Sequence, residues 1–158
     1  MQRSKTTRLN TPPYKVEVKN STMYTFASNG PKGIFVKEVV ITPLIKSGYY
    51  NFGFGDACPD GSIDDEVETN NGDLIKVFAT IISIIEDFLE GNPGSTLYFT
   101  GSTPQRTVVY NIILKRYYLQ FSRKYLITGI QRVNNILSET EYNPIEVEEY
   151  EGFFVRKK

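Results

Sequence analysis

The sequence TLYFTGSTPQRTVVYNIILKRYYLQF, residues 96–121, is the segment on which the fold prediction is based. Its first four residues are apolar and aromatic and predict a strand, and the small polar residues 101–103 predict a turn. A helix begins at Pro104, because apolar side chains recur from there at helical spacing. Residues 125–130 predict a further strand, so the order strand, helix, strand indicates a parallel crossover.

Four runs of residues upstream of this segment predict an antiparallel meander. Tyr14–Lys19 alternates apolar and charged side chains, as a half-buried strand does, and Met23–Ala27 is its predicted hairpin partner. Ile34–Thr42 is rich in β-branched residues and predicts an interior strand. Tyr49–Phe54 predicts the fourth strand of the meander.

Another long helix is predicted between the meander and the opening segment. Asp73 is a suitable N-cap, residues 74–89 carry a broad apolar stripe, and Gly91 favours termination. Residues 131–145 are expected to be irregular, and Tyr150–Lys157 predicts the final strand.

These elements together predict an α+β fold. We expect a curved, mostly antiparallel sheet of about six to seven strands with two long helices packed on one face. Residues 1–12 are predicted to be a flexible N-terminal tail, and residues 13–158 a single α+β domain.

Composition excludes several classes of chemistry. The chain has 158 residues and no histidine, which removes histidine-based acid/base catalysis, Ser-His-Asp sites and most zinc sites. Its single cysteine, Cys58, cannot form an internal disulfide and fits a reducing compartment. We therefore predict a cytoplasmic protein, with no membrane association and no cofactor.

Charged residues are segregated along a chain of zero net charge. Residues 1–55 carry eight basic and two acidic side chains, and residues 56–73 carry seven acidic and no basic ones. Residues 106–132 carry six basic and no acidic side chains. Such blocks either pair with each other in the fold or each face a partner.

The start of the second helix is the leading candidate binding site. A helix N-terminus presents unpaired N–H groups to an anion. Ser102 and Thr103 add hydroxyl groups, Arg106 adds a guanidinium able to grip an oxyanion at two points, and Tyr110 lies one turn further on. A phosphorylated ligand, such as a nucleotide or RNA, would suit these groups.

The same residues also have a purely structural interpretation. Ser102 and Gln105 form a capping-box pattern, or Thr103 caps the helix with Pro104 at its first position. Arg106 could instead pair with the acidic residues of 56–73. The segment lacks the lysine and the spacing of a phosphate-binding nucleotide loop.

The acidic segment 56–73 resembles a calcium loop only superficially. With Asp56 at the first position, Cys58 and Val67 occupy positions three and twelve, where oxygen ligands are needed. We predict no EF-hand. Three aspartates, Asp60, Asp64 and Asp65, remain weak candidate ligands for magnesium, and a solvated loop is the favoured interpretation.

The basic block 106–132 includes aromatic residues, a pattern found in nucleic-acid-binding proteins. Tyr117 and Phe121, however, lie on the predicted buried stripe of the second helix. The zero net charge also argues against this function. Nucleic acid is therefore not the preferred partner.

Four segments resemble a family of short bacterial proteins, chiefly from Bacteroidota, that form a domain of unknown function. They are Phe26–Gly33, Asn51–Asp56, Asn70–Asp73 and Gly101–Thr107. The resemblance extends over most of the chain and implies a single-domain α+β protein. It implies no activity, cofactor or catalytic residue.

The sequence therefore leads to two functional hypotheses. The first is a non-catalytic cytoplasmic binding or interaction domain, with a polar anion-accepting pocket at the N-terminus of the second helix and a protein partner or a second copy as partner. The alternative is an enzyme or binder that acts on a phosphorylated ligand at Gly101–Thr103 and Arg106. The interaction hypothesis predicts an apolar patch on the sheet face away from the helices.

Overall fold

A computed structural model describes residues 11–57, 63–64, 72–100, 104–145 and 149–158, with all side chains in these ranges except those of 63–64 and 104–106. Two helices and nine strands lie in these ranges. The helices are α1 (Leu74–Gly91) and α2 (Pro104–Phe121). The strands are β1 (Glu17–Asn20), β2 (Met23–Gly30), β3 (Gly33–Pro43), β4 (Tyr49–Ala57), β5 (Ile63–Asp64), β6 (Thr96–Phe99), β7 (Tyr125–Val133), β8 (Ile136–Glu141) and β9 (Gly152–Lys157).

The strands form one mixed sheet. Their hydrogen-bonded order is β1-β2-β3-β4-β6-β9-β7-β8, and β5 pairs with β4 outside that order. β4 and β6 run parallel, with Tyr50 opposite Leu97, while β6–β9, β7–β9 and β7–β8 are antiparallel. The α+β class is confirmed. The prediction of a smaller, mostly antiparallel sheet is wrong in size, and the sheet is mixed.

The crossover around α2 is only partly as predicted. β6 and β7 each pair antiparallel with β9, so they run parallel to each other but are separated by the C-terminal strand. The reason lies in β9, whose Phe153 and Val155 are fully buried and belong in the interior of the sheet. The sequence pattern of residues 96–130 could not predict that β9, from the end of the chain, lies between β6 and β7.

The prediction that residues 131–145 are irregular is wrong. β7 continues to Val133, and β8 pairs with it as a hairpin from Val133 opposite Ile136 to Thr128 opposite Glu141. Asn134 and Asn135 connect the strands with φ of 52° and 62°. Every residue of β8 is exposed, so the strand lacks the alternating burial that reveals strands in a sequence.

The first strand also differs from the prediction of a half-buried strand over Tyr14–Lys19. β1 begins only at Glu17, and all of its residues are exposed. It lies at one edge of the sheet, where neither face is covered. Tyr14 instead hydrogen-bonds residues of the first compact unit described next.

The described residues cluster into two compact units. Unit 1 comprises Met1–Val39 and Phe54–Phe88. The name refers below only to the described residues within these ranges. The core of unit 1 contains Phe26, whose ring stacks on Tyr14 at 5.9 Å and on Phe54 at 6.2 Å between centroids. The broad apolar stripe predicted for α1 is confirmed, because residues from Val77 to Phe88 contribute most of the other buried side chains of this unit.

Unit 2 comprises Val40–Gly53 and Leu89–Lys158. α2 covers one face of its strands through Tyr110, whose ring meets Phe52 at 6.4 Å and Phe99 at 5.6 Å. The ring of Phe121, at the end of α2, stacks on Tyr125 at 4.5 Å. The stripe predicted for the second helix is therefore the one that packs against the sheet of this unit.

Candidate functional site

The predicted anion site lies mostly outside the described side chains. Ser102, Thr103 and Arg106 are all among the residues whose side chains are not described. Helix α2 begins at Pro104, where the sequence predicts it, and its first turn contains no acidic residue. Tyr110 is 8% exposed and packs in the core of unit 2.

The predicted weak metal ligands Asp60, Asp64 and Asp65 likewise lie outside the described side chains. Within the described ranges, no group of three or more Cys, Asp and Glu residues is arranged to hold a metal ion.

A polar cluster in unit 1 surrounds the carboxylate of Asp73. Its Oδ2 accepts hydrogen bonds from the hydroxyls of Tyr14 at 2.5 Å and Ser28 at 2.6 Å. The Tyr14 hydroxyl in turn accepts the backbone N–H of Asn29 at 3.0 Å. The backbone oxygen of Asp73 accepts the N–H of Val77 at 3.0 Å, which starts α1. These contacts connect the N-terminal segment, β2 and α1, so we interpret the cluster as structural.

Lys37 and Asp56 form an ion pair in the same unit, with side chains 6% and 18% exposed. Burial of a charge is costly unless an opposite charge accompanies it, and this pair satisfies that requirement. It joins β3 to the end of β4. The pair thereby links the two strands.

A tyrosine cluster in unit 2 also has a structural role. Tyr142 donates its hydroxyl hydrogen bond to Asn111 Oδ1 at 2.6 Å, and its ring lies 5.3 Å from that of Tyr150. Burial raises the pKa of Tyr142, with the neighbouring hydroxyls of Tyr150 and Tyr118 adding to the effect. The hydroxyl therefore stays protonated and serves as a donor to α2, without the character of a nucleophile.

The sheet face of unit 2 opposite α2, called the outer face below, is different in character. Neighbouring side chains along a strand point to opposite faces. Leu97, Phe99, Phe153 and Val155 are buried, whereas Tyr98 and Phe154 between them are half-buried on the outer face.

Three aromatic rings form the centre of the outer face, on three adjacent strands. Tyr98 of β6 lies opposite Phe154 of β9 in the sheet, with ring centroids 5.1 Å apart. Tyr49 of β4 meets the Phe154 ring edge-on at 5.7 Å. A Cβ on Gly152 would lie only 3.0 Å from the Tyr98 ring, so a glycine there allows the ring to lie against the strand.

The rest of the outer face has a definite order of charge. Lys46 Nζ lies 4.5 Å above the Tyr49 ring, and Arg156 lies two residues beyond Phe154 on the same face of β9. On β8, Glu139 and Glu141 are exposed, and Glu139 accepts a hydrogen bond from Thr128 of β7 at 2.5 Å. Basic groups therefore flank the aromatic centre. The acidic groups lie on β8, and Arg132 lies on the same face of the neighbouring strand β7, opposite Leu137.

Within the described part of the chain, none of the four charged side chains Lys46, Arg156, Glu139 and Glu141 forms an ion pair. The ion pairs found there join Lys19 to Glu17, Lys37 to Asp56, Arg132 to Glu151 and Lys157 to Glu90. One of these pairs involves the outer face, because Arg132 lies two residues beyond Ile130 on the same face of β7.

Tyr49, Tyr98 and Phe154 are not among the site residues predicted from the sequence. The sequence does contain a signal for Tyr98 and Phe154. Aromatic or aliphatic residues lie on both faces of β6 and β9, whose sequences include TLYF and GFFV. A strand in contact with solvent on one face normally alternates apolar and polar residues. Two-sided apolar strands with only one covered face therefore indicate a surface with a further role.

The observed fold places the chain in the class of α+β domains built on a mixed sheet. A family model described as a family of unknown function (DUF6934) matches residues 10–158, and the chain belongs to that family. The resemblance of the four sequence segments to a domain of unknown function is thereby confirmed. No curated protein and no solved structure matches the chain. No helix in the described ranges is long and apolar enough to cross a membrane.

Proposed function

We propose that the protein is a non-catalytic binding domain and that the outer face of unit 2 is its binding surface. The observation that carries this proposal is the aromatic centre formed by Tyr49, Tyr98 and Phe154, half-exposed on three adjacent strands. Tyr, Phe and Arg are the residue types enriched at the centres of protein interfaces, and Arg156 lies beside the three rings.

The contacts of the acids and tyrosines in the described ranges support a binding role. The chain has no histidine. Several acidic and tyrosine side chains form hydrogen bonds that stabilise the fold. Asp73 accepts one from Ser28, and Tyr142 donates one to Asn111. The carboxylate of Glu90 is held by Lys157 at 2.8 Å and Tyr125 at 2.6 Å, and the hydrogen bond from Lys157 lowers the pKa of Glu90. A carboxylate stabilised in its ionised form is a poor general acid.

A charged substitution at the centre of the outer face tests this proposal. Phe154→Lys should abolish binding of partners to immobilised protein, because a lysine there cannot fill the position of a desolvated ring. Leu119→Lys is the matched control, since Leu119 is 81% exposed on α2 and lies away from the outer face. Equal partner binding by both variants and the original protein would refute the proposal.

The anion-accepting pocket at Ser102, Thr103, Arg106 and Tyr110 is a second candidate function. The supporting observation is that the first turn of α2 has no acidic residue, so no local carboxylate cancels the positive end of the helix dipole. Ligands at this site would be phosphorylated molecules, as in the alternative derived from the sequence.

Thermal shift measurements with nucleotides and other phosphorylated metabolites test this second candidate. A ligand present at about 100 times its dissociation constant should stabilise the fold by about 2.7 kcal/mol. Arg106→Ala should remove that shift and Lys115→Ala, a control on the exposed side of α2, should retain it. A shift of equal size in all three proteins would place the ligand elsewhere.

A further inference from the structure

We propose that one end of the sheet in unit 2, called the basic end below, docks on the surface of an anionic lipid bilayer. The basic end adjoins the outer face at Lys46 and is otherwise separate from it, so the inference goes beyond the proposed function. Two independent observations carry it, namely a cluster of mostly unpaired cations and a fully exposed aliphatic side chain beside them. Docking of this kind is peripheral and requires no spanning helix. It replaces the prediction of no membrane association with a surface contact.

Strand register brings three separate segments together at the basic end. β4 and β6 start side by side, with Tyr49 opposite Thr96, and the end of β9 lies between the starts of β6 and β7. The turn before β4, the turn between α2 and β7, and the last residues of β9 therefore lie at the same end of the sheet. The backbone N–H of Lys158 donates to the backbone oxygen of Lys124 at 2.9 Å, which holds two of these segments against each other.

Basic side chains from all three segments converge at this end. They are Lys46, Arg123, Lys124, Lys157 and Lys158, and all except Lys157 are exposed. Within the described ranges, only Lys157 of this set forms an ion pair, with Glu90 at 2.8 Å. Like charges that lie close together repel one another, and a surface of opposite charge removes that cost. Clusters of about four to eight basic residues are characteristic of segments that bind anionic lipid headgroups.

Ile45 supplies an apolar group at the same end. It is the most exposed large apolar side chain in the described ranges, at 107%, and Leu44 before it is 38% exposed. The turn is folded, because the N–H of Leu44 donates to the oxygen of Tyr49 at 2.8 Å and the N–H of Tyr49 to the oxygen of Lys46 at 3.1 Å. The Ile45 side chain is therefore presented to solvent beside a cation, where it can enter the headgroup region of a bilayer.

A bilayer suits both features better than nucleic acid does. The phosphates of nucleic acid would pair with the cations, but such a polyanion has no hydrocarbon layer to receive Ile45. An anionic bilayer presents phosphate and carboxylate groups across a plane, with hydrocarbon beneath them. A plane also matches cations that come from three segments at one end of a sheet. With a single aliphatic side chain to insert, we expect weak and reversible binding.

Co-sedimentation of the full chain with lipid vesicles tests this proposal. We expect binding to phosphatidylcholine vesicles that contain about 30% phosphatidylserine, and no binding to pure phosphatidylcholine vesicles. Binding should weaken steeply between about 0.1 and 1 M salt, because the screening length falls from about 10 to about 3 Å. Equal binding to both kinds of vesicle, or no binding to the anionic ones, would overturn the proposal.

Paired charge substitutions locate the contact. Arg123→Gln with Lys124→Gln should weaken vesicle binding about 25-fold, at about fivefold per basic residue. The matched control is Lys15→Gln with Lys19→Gln, which removes the same charge from exposed positions of unit 1 and should have little effect. Equal losses in the two double variants would show that only net charge matters, and would overturn the basic end as the docking surface.

Ile45→Ser tests the apolar contact separately. Vesicle binding should fall about tenfold, because serine cannot replace the aliphatic group in the headgroup region. Ile136→Ser is the matched control, since Ile136 is 66% exposed at the start of β8, at the opposite end of the sheet, and its loss should leave binding unchanged. Equal vesicle binding by these two variants would overturn the proposal. So would binding of a single-stranded RNA through Arg123 and Lys124 by a chain that does not bind anionic vesicles.

Discussion

Gly129 of β7 shows how strongly a single residue can depend on its neighbours. A Cβ built on it would lie 2.2 Å from two atoms of the Tyr150 ring. Tyr150 is buried, and its hydroxyl accepts the backbone N–H of Asn143 at 3.1 Å, so the ring is held in place. The glycine is therefore required for close packing between this ring and the strand.

We predict that Gly129→Ala lowers the free energy of unfolding by about 2 to 3 kcal/mol, because the ring or the strand must move. Urea-induced unfolding followed by circular dichroism measures the change. Gly91→Ala is the control, since a Cβ there meets nothing within 4 Å and should change stability by less than about 1 kcal/mol. Equal stability of Gly129→Ala and the original protein would contradict the described packing.

Tyr24 provides a prediction for pH dependence in unit 1. Its side chain is 3% exposed and its hydroxyl donates to Asp87 at 3.3 Å. Burial and the nearby carboxylate raise the pKa of Tyr24 to about 12. The folded state therefore keeps this proton at a pH at which the unfolded chain, with a pKa near 10, has released it.

The sign of the effect follows from this order of pKa values. The contribution of Tyr24 to stability is complete below about pH 10 and is lost as the pH rises towards 12. Tyr24→Phe should remove part of the decline in unfolding free energy between about pH 9 and 11, on the order of 1 kcal/mol. Urea titrations at both pH values measure it, and an identical decline in both proteins would exclude the role assigned to Tyr24.

At the scale of elements, the β7–β8 hairpin depends on a two-residue turn of unusual backbone conformation. Asn134 and Asn135 both have positive φ, the geometry that matches the twist of a hairpin. Asparagine tolerates this region better than most residues, and glycine adopts it without strain. The turn thus determines the register of an edge strand that has no buried face to fix it.

Asn135→Gly should therefore stabilise the hairpin by about 0.5 kcal/mol, and Asn135→Val should destabilise it by about 1 kcal/mol or more. Thermal unfolding combined with hydrogen exchange at the β8 amides measures both changes. A hairpin insensitive to either substitution would show that contacts outside the turn determine its register.

The same elements show which parts of the fold are accessible from sequence. α1 and α2 could be predicted because apolar periodicity and capping residues mark both their course and their ends. β8 could not be predicted, because ILSETE is exposed on both faces and its pairing depends on the turn geometry at Asn134 and Asn135. The place of β9 between β6 and β7 could not be predicted either, since it results from non-local pairing.

At the scale of the whole molecule, the predicted and observed candidate sites differ for a physical reason. Polar groups near a helix N-terminus are the strongest site candidates in the sequence, because their chemistry is recognisable in a single segment. The outer face is assembled from β4, β6 and β9, which are distant in sequence and meet only in the sheet. Tyr49, Tyr98 and Phe154 become a cluster through strand order alone.

The charge pattern acquires a similar explanation at this scale. Blocks of like charge along the chain suggested either pairing within the fold or contact with a partner. In unit 2, Lys157 pairs with Glu90 and Arg132 with Glu151, which supports pairing for these residues. Lys46, Arg156, Glu139 and Glu141 form no such pair in the described ranges and share one face. Under the proposed function, these four groups contact a partner.

The most direct test of the outer face as a binding surface is retention of partner proteins on the immobilised full chain, compared with Phe154→Lys and Leu119→Lys. We expect the original protein and Leu119→Lys to retain the same partners, and Phe154→Lys to lose them. Equal retention by all three proteins would contradict the proposed function, because the partner would then bind elsewhere on the molecule.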